Sequence, residues 1–232
     1  AIVAKELLHK DITLVHFNIG QKSEIRELEA VKKLAKHLDV PLEVIDMTWL
    51  GALGASPLTD DNIPVPEAHM EGLKSTICWT PARNVVFASA LMAVAEATGA
   101  SEIYNGWTLE EEGAFMDNSL GFYRALNNLS DFGTITRPKF RMVLAGLMKP
   151  EIITLGNHLS LNYGDVWSCD DGQEKHCGKC GCCWLKHSAF VRAGIEDPTE
   201  YLQDPHKDLP PPYKGKTMKA SIEDILRRVK IN

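Results

Sequence analysis

The sequence predicts an α/β protein: a parallel sheet flanked by helices, then a cysteine-rich knuckle and a helical tail. Two observations predict the sheet. Apolar, β-branched runs at residues 12–17 (ITLVHF) and 41–47 (PLEVIDM) have strand length and are too short for helices. The segments between and after them carry apolar residues at helical spacing, and strand–helix alternation with short connections makes the strands parallel. A third observation sets the C-terminal part: five of the six cysteines fall between Cys169 and Cys183. The chain therefore divides into an α/β unit over 1–160, a metal-binding unit over 161–203, and a proline-rich linker with an amphipathic helix over 204–232.

Residues 1–9 (AIVAKELLH) read as a short amphipathic helix that leads into the first strand, 12–17. After a polar loop at Asn18, Gly20 and Gln21, residues 24–38 put Ile25, Leu28, Val31, Leu34, Ala35 and Leu38 on one helical face. Ser23 suits the N-cap, with Glu24 and Glu27 placed favourably in the first turn. The second strand, 41–47, follows. Residues 49–79 lack periodicity and hold several glycines and prolines, the composition of a functional loop or lid. In the next helix, 80–99, Thr80 can cap, Pro81 suits the first position and Gly99 closes the end.

A third strand, 102–106, opens into a loop containing the acidic run Glu110, Glu111 and Glu112. Residues 122–129 read as helix, 135–140 (ITRPKF) as a strand-like start broken by Pro138, and 150–159 as a short helix ending near Gly156. A helix over 184–193 follows the knuckle. Pro205 and the run Pro210, Pro211 and Pro212 predict an extended linker. In the tail, Ser221 and Asp224 form a capping-box pattern ahead of an apolar stripe, Ile222, Ile225, Leu226 and Val229. That stripe must bury on its own domain or on a partner subunit.

With 232 residues, 44% of them hydrophobic, the chain can bury a substantial core. Its net charge of −6 argues against direct nucleic-acid binding. There is no apolar run of the roughly 18–20 residues that cross a bilayer and no secretory signal, so a reduced, cytoplasmic setting is expected.

Cys169, Cys177, Cys180 and Cys183 are the candidate metal ligands. Thiolates two residues apart can turn back on one ion, and the small residues between them suit a tight knuckle. Four sulfurs form a closed tetrahedral shell suited to structural zinc; an iron–sulfur cluster and a disulfide framework are the rivals. Cys182 falls outside the spacing, and His176 and His187 are substitute ligands. A closed tetrathiolate leaves no position for chemistry, so the reacting groups lie elsewhere. Arg83 and Asn84, in the first turn of a helix, sit where backbone N–H groups bind anions, and the loop after the 102–106 strand opens at the carboxyl edge of the sheet, where ligands of α/β folds bind.

The stretches FNIGQ (17–21), LTDD (58–61), TPARN (80–84), KPEIITLG (149–156) and WSCDDGQEKHCGKCGCC (167–183), in this order and spacing, resemble the QueC family of 7-cyano-7-deazaguanine synthases over about residues 1–203. These belong to the PP-loop ATPase group, with an adenine-nucleotide α-hydrolase-like fold. The resemblance implies ATP-dependent activation of the carboxylate of 7-carboxy-7-deazaguanine, displacement by ammonia, and dehydration of the amide to the nitrile, in the route to queuosine or archaeosine. It implies structural zinc, magnesium with the nucleotide, and a homodimer. Arg83 becomes the expected carboxylate or phosphate clamp, and Asp60 and Asp61 the residues that reach magnesium or the base's amino group. Phe17, Asn18, Gly20, Gln21, Thr59, Thr80, Asn84, Asn105, Gly106 and Asp117 become the expected nucleotide- and substrate-binding set.

The family's SGGxDS phosphate-binding loop does not occur in these residues, which begin where it would just have ended, so little ATP turnover is expected of them alone. The family's GYPDCRPEF segment is matched by AFMDNSLGF, in which Ser119 and Gly121 stand at its Arg and Glu positions. That change implies either the same reaction or a paralogue with an altered acceptor. Another tRNA-modifying PP-loop ATPase and a catalytically degenerate nucleotide- or base-binding module are the alternatives.

Overall fold

The computed structural model describes residues 1–68, 78–108, 115–205 and 220–231. Part of the 49–79 loop, the Glu110–Glu112 run and the Pro210–Pro212 linker lie outside these residues.

The first strand, β1 (Leu14–Asn18), pairs in parallel with β2 (Leu42–Asp46), in register from Leu14↔Leu42 to Asn18↔Asp46. Between them α1 (Glu24–Leu38) makes the crossover that parallel pairing demands. Ser23 stands at its N-cap as expected, but its hydroxyl donates to Glu27 Oε1 (2.6 Å) and caps no backbone N–H. Asp39, at φ +50, closes the helix. A four-residue helix, α2 (Thr48–Gly51), follows β2, and Asp46 Oδ1 accepts from the Thr48 N–H and hydroxyl.

A second parallel pair consists of β3 (Glu102–Tyr104) and β4 (Lys139–Arg141). Before β3 comes α3 (Arg83–Thr98), closed by Gly99 at φ +74. It starts two residues later than its sequence suggests, at Arg83 instead of Pro81. Thr80 is buried with its hydroxyl on Ser56 Oγ (3.4 Å), so it does not cap; Ala82, at φ +52, takes the N-cap position. Between β3 and β4 lies α4 (Leu120–Gly133), longer at both ends than 122–129 because Ser119 Oγ accepts the Phe122 N–H (3.1 Å).

Pro138 precedes β4 instead of interrupting a strand, and its carbonyl accepts from Ser130 Oγ (2.6 Å). Tyr123 donates to the Phe140 carbonyl (2.7 Å) and Asn127 accepts the Phe140 N–H (2.9 Å), so polar side chains of α4 satisfy the outer edge of β4.

Three more helices complete the described fold: α5 (Lys149–His158), α6 (Gly181–Ala193) and α7 (Ile222–Ile231). The initial segment, expected as a short amphipathic helix over 1–9, is a π-helical turn, Val3–Leu7. Its Ile2 and Val3 enter one core with Leu38, Val143, Leu147 and Leu155, and with Ile225 and Val229 of α7. The apolar stripe of the tail is thus buried on its own chain. Arg228 of α7 forks onto both carboxylate oxygens of Glu151, at the start of α5, and donates to the Gly146 carbonyl (2.8 Å). Among the described residues no helix is long and apolar enough to cross a membrane.

Candidate functional site

In a parallel strand–helix–strand unit the helix runs back along the sheet, so its N-terminus stands at the carboxyl edge of the strands. Arg83 and Asn84 start α3, the helix that leads into β3 and packs against β1. Asn18 closes β1 with Oδ1 accepting the Gly20 N–H (2.8 Å), and Gly20 takes φ +73. Gln21 is fixed through its amide: Oε1 accepts the Ile19 N–H (2.9 Å), and Nε2 donates to Glu27 Oε2 (2.9 Å). Phe17 stacks on Phe87 of α3, centroids 4.3 Å apart. Gly51 abuts this turn so closely that a Cβ there would stand 2.0 Å from the Ile19 carbonyl oxygen. Thr59 donates to that glycine's carbonyl (3.1 Å).

Of the expected binding set, then, Phe17, Asn18, Gly20, Gln21, Thr59 and Thr80 build the floor of the edge with side chains or backbone already engaged. Asp60 Oδ1 accepts from the Asn62 N–H and amide (2.9 and 3.0 Å), and Asp61 is exposed. Neither is joined to Arg83 by a hydrogen bond or ion pair among the described residues.

A different group converges instead. Asp117 is only 8% exposed, and its Oδ1 has no hydrogen-bond partner among the described residues. Burial pushes its carboxyl up, against the opposing influence of the Arg83 charge and the Asn84 amide beside it. Arg83 also acts on Asp170, whose carboxyl burial pushes up to about 6; the Cys182 thiol and Arg83 pull the other way, and the charges of Glu27 and Cys177 add to the rise. The Arg83 guanidinium makes no hydrogen bond or ion pair among the described residues, while its backbone N–H donates to the Thr80 carbonyl (3.2 Å). The site thus holds a half-buried guanidinium, without a side-chain partner among the described residues, whose charge acts on two carboxylates, one of them with a buried oxygen lacking a partner among those residues. Asn105 Nδ2 and Thr108 Oγ1, after β3, are buried without partners among the described residues, and a Cβ on Gly106 would meet nothing within 4 Å among them.

Asp170 is not singled out by sequence reasoning, which reads Glu27 only as a first-turn acid of α1 and Cys182 only as a thiol outside the metal spacing. The available signal was the Asp170–Asp171 doublet directly after a ligand cysteine, where an acid that does not bind the metal must face something else. Ser119, at a position where the resembling family carries arginine, is the N-cap of α4 and also donates to the Met116 carbonyl (2.8 Å).

The four cysteines converge as their spacing predicts. Their sulfurs all lie within 4.8 Å of one another, each residue at most 2% exposed. None of the six cysteines is joined in a disulfide, and the Cys177 and Cys183 sulfurs stand 3.9 Å apart, far beyond the roughly 2.05 Å of a disulfide. A tetrahedral ion with sulfurs at about 2.3 Å sets them about 3.8 Å apart, so the cage fits a metal ion such as zinc. Backbone N–H groups of Asp171 and Cys177 point at Cys169 Sγ (3.4 and 3.3 Å), those of Lys179 and Cys180 at Cys177 Sγ (3.4 and 3.3 Å), and that of Cys183 at Cys180 Sγ (3.4 Å). Such donors suit thiolates. Cys180 also caps α6, where the helix dipole favours negative charge.

The two histidines are otherwise engaged. His176 lies against Trp167 (centroids 4.2 Å) and accepts the Ser168 N–H (3.3 Å); burial, then the Lys186 charge, holds its pKa down to about 4. His187 Nδ1 meets Asp197 Oδ2 at 2.9 Å.

Comparison with known proteins bears on this geometry. Residues 1–194 match the family described as Queuosine biosynthesis protein QueC. A protein of Saccharolobus solfataricus named 7-cyano-7-deazaguanine synthase is 38% identical over 209 residues, covering 88% of this chain and 45% of its own length. Proteins of the same name from Methanothermobacter thermautotrophicus (38% identical, 83% of this chain, 89% of theirs) and Methanocaldococcus jannaschii (34%, 87% and 93%) are similar along most of their length. The chain therefore spans under half of the Saccharolobus relative and about nine-tenths of the two methanogen relatives. On a match over residues 1–194 and on relatives that align along nearly their whole length, this chain belongs to the QueC family.

Proposed function

We propose that this chain forms the substrate-binding and metal-stapled part of a 7-cyano-7-deazaguanine synthase, an ATP-dependent carbon–nitrogen ligase acting on 7-carboxy-7-deazaguanine and ammonia. The observation that carries the reading is Arg83: an uncommitted guanidinium at a helix N-terminus, on the carboxyl edge of parallel strands, flanked by Asn84 and Asp117. A planar carboxylate matches a guanidinium fork bidentately. The names of the relatives support the same chemistry.

In the reaction, a substrate carboxylate oxygen attacks the α-phosphorus of ATP and pyrophosphate leaves. Ammonia adds to the acyl adenylate, AMP leaves with the former carboxylate oxygen, and the amide remains. The amide oxygen is activated by a second adenylyl transfer, and loss of AMP and a proton gives the nitrile. Hydroxide is a poor leaving group and AMP a good one, so orientation and charge complementarity are what the protein must supply. Arg83 holds the anionic end of the substrate, and the sheet edge keeps water away from the activated carbon. Magnesium, with Asp60 or Asp61 within its reach, would balance charge on the nucleotide phosphates.

We take the α/β unit to be adenine-nucleotide α-hydrolase-like. Among the described residues β1 and β3 each pair on one edge alone, which supports a further parallel strand, carrying the phosphate loop, outside these residues. Zinc is the metal we propose for Cys169, Cys177, Cys180 and Cys183, in a reduced, cytoplasmic setting that keeps the thiols free. Exposed Phe132 and Ile135 at the end of α4, 92% and 91% accessible, support a homodimer.

Isothermal calorimetry with 7-carboxy-7-deazaguanine tests the core of the reading. Binding in the micromolar range, lost in Arg83→Ala, is expected. Binding that is absent, or indifferent to Arg83, overturns it.

A further inference from the structure

Helix α4 covers β4 with one face and leaves the opposite face open. On the inner face Tyr123 and Ser130 donate to the Phe140 and Pro138 carbonyls, Asn127 accepts the Phe140 N–H, and Leu126 packs with Phe140. The outer face runs at helical spacing through Gly121, Ala125, Asn128 and Phe132, with Leu129 beside them, and all five are exposed. Ile135, just past the helix, extends it. Exposed apolar residues standing singly are ordinary, whereas a continuous stripe marks an interaction surface.

Two features of this stripe have no cause within the chain. A glycine inside a helix is disfavoured. Gly121 holds no positive φ, and a Cβ on it would meet only the Ser119 hydroxyl oxygen, at an ordinary 3.6 Å. Its own fold does not require the glycine; a close neighbour would. The second feature is the loop that carries Ile135. The N–H groups of Ile135 and Thr136 donate to Glu96 Oε1 of α3 (2.5 and 3.2 Å), and Thr134 Oγ1 accepts the Arg137 N–H (3.0 Å). An apolar side chain held out on a tied loop loses little entropy on docking.

The stripe is also complementary to itself. Its small residues lie towards the start of α4 and its bulky ones towards the end. A two-fold axis beside Asn127, setting two copies of α4 antiparallel, puts Phe132 of one on Gly121 of the other and Leu129 on Ala125. The same axis joins residues that share a flank of the helix. Arg124 and Asp131 share one, two turns apart, and meet as opposite charges. Each of these pairs is centred within one residue of Asn127. The Arg124 guanidinium makes no hydrogen bond or ion pair among the described residues, and Asp131 is otherwise shared with Lys139.

We infer that α4 pairs antiparallel with α4 of a second copy of this chain. The partner's Phe132 seats on Gly121 and the partner's Ile135 lies beside exposed Met116, so that each copy covers the other's 116–118 turn, which carries Asp117. The inference deepens the homodimer reading above and rests on it, naming the element, the symmetry and the end of the site that is covered.

Sedimentation velocity on the zinc-loaded chain across the micromolar range tests this. Native protein should dimerise. Phe132→Glu puts charge into the contact and Gly121→Trp fills the space the partner needs; each should weaken dimerisation at least about 30-fold, with an unchanged circular dichroism spectrum. Arg124→Glu should weaken it about 3- to 10-fold, and adding Asp131→Lys should restore it, because the exchanged charges meet across the axis. Failure of that exchange to restore the dimer overturns the antiparallel register. A dimer indifferent to both Phe132→Glu and Gly121→Trp lies on another face, which overturns the inference and leaves the homodimer reading standing. A native chain that stays monomeric overturns both and gives the face to a different partner.

Discussion

A Cβ placed on Gly172 would stand 1.9 Å from the Lys22 carbonyl oxygen, so the metal knuckle and the turn after β1 touch through bare backbone. Gly172 also holds φ +68, a conformation that a side chain disfavours. Steric overlap against immobile backbone adds to that strain. Gly172→Ala is therefore expected to destabilise the protein by about 2–4 kcal/mol, seen as a lower urea midpoint. A midpoint within experimental error of the native one would show that the two loops separate freely.

The cysteine cage gives the second prediction. Four buried sulfurs within 4.8 Å of one another hold charge that a cation must balance. One zinc per chain is expected by elemental analysis. Cys180→Ser should release it and cost about 4 kcal/mol or more, roughly 10 °C in melting temperature for a protein of this size. Chelation of the native protein should give the same shift. A colourless native protein distinguishes zinc from an iron–sulfur cluster, whose charge-transfer bands would be visible.

Much of this was legible in the chain because the signals were local. The cysteine spacing predicts the cage, helical periods predict α1 and α3, and Ser221 caps the tail helix through the Asp224 N–H (3.2 Å). What the sequence hid depends on contacts far apart in the chain. Thr80 has the form of an N-cap, yet Ser56, distant in sequence, claims its hydroxyl, and α3 begins later. The stripe of α7 could have met a partner; Leu155 and Val143 of the same chain cover it. The close approach of Gly172 to the Lys22 carbonyl likewise exists only once the knuckle folds over the turn after β1.

Glu102 provides a pH-dependent test of the second strand pair. Its carboxylate meets Lys10 Nζ (2.9 Å), the Tyr104 hydroxyl (2.8 Å) and Arg141 Nε (2.8 Å). The Lys10 contact first, then Tyr104 and Arg141, outweigh burial and bring its pKa down to about 2. A carboxylate with a depressed folded pKa stabilises fully above its unfolded value, near 4.5, and loses that contribution as pH falls towards 2. Because Lys10 is 45% exposed, solvent screening trims the effect to about 1–2 kcal/mol. Glu102→Gln should lower stability by that amount at pH 7 and converge on the native protein near pH 2. A constant difference across pH 2–7 would place the effect in side-chain fit, not in charge.

Arg83 separates function from stability. Its guanidinium makes no hydrogen bond or ion pair among the described residues, so truncating the side chain breaks no polar contact there. Its charge opposes, without overcoming, the burial that raises the Asp117 and Asp170 carboxyls. Arg83→Ala should therefore leave the melting temperature within about 2 °C of native at pH 7, since substitutions that break no contact cost little. The same change removes the partner of the substrate carboxylate, and charge-assisted hydrogen bonds of about 1.5–3 kcal/mol imply a roughly 10- to 100-fold loss of affinity for 7-carboxy-7-deazaguanine. Arg83→Lys keeps the charge but not the planar fork, so it should recover only part of the binding. An analogue in which the carboxylate is replaced by hydrogen should bind native protein and Arg83→Ala alike. If the variant instead weakens both ligands equally, Arg83 shapes the pocket and the substrate's anionic end lies elsewhere on the sheet edge.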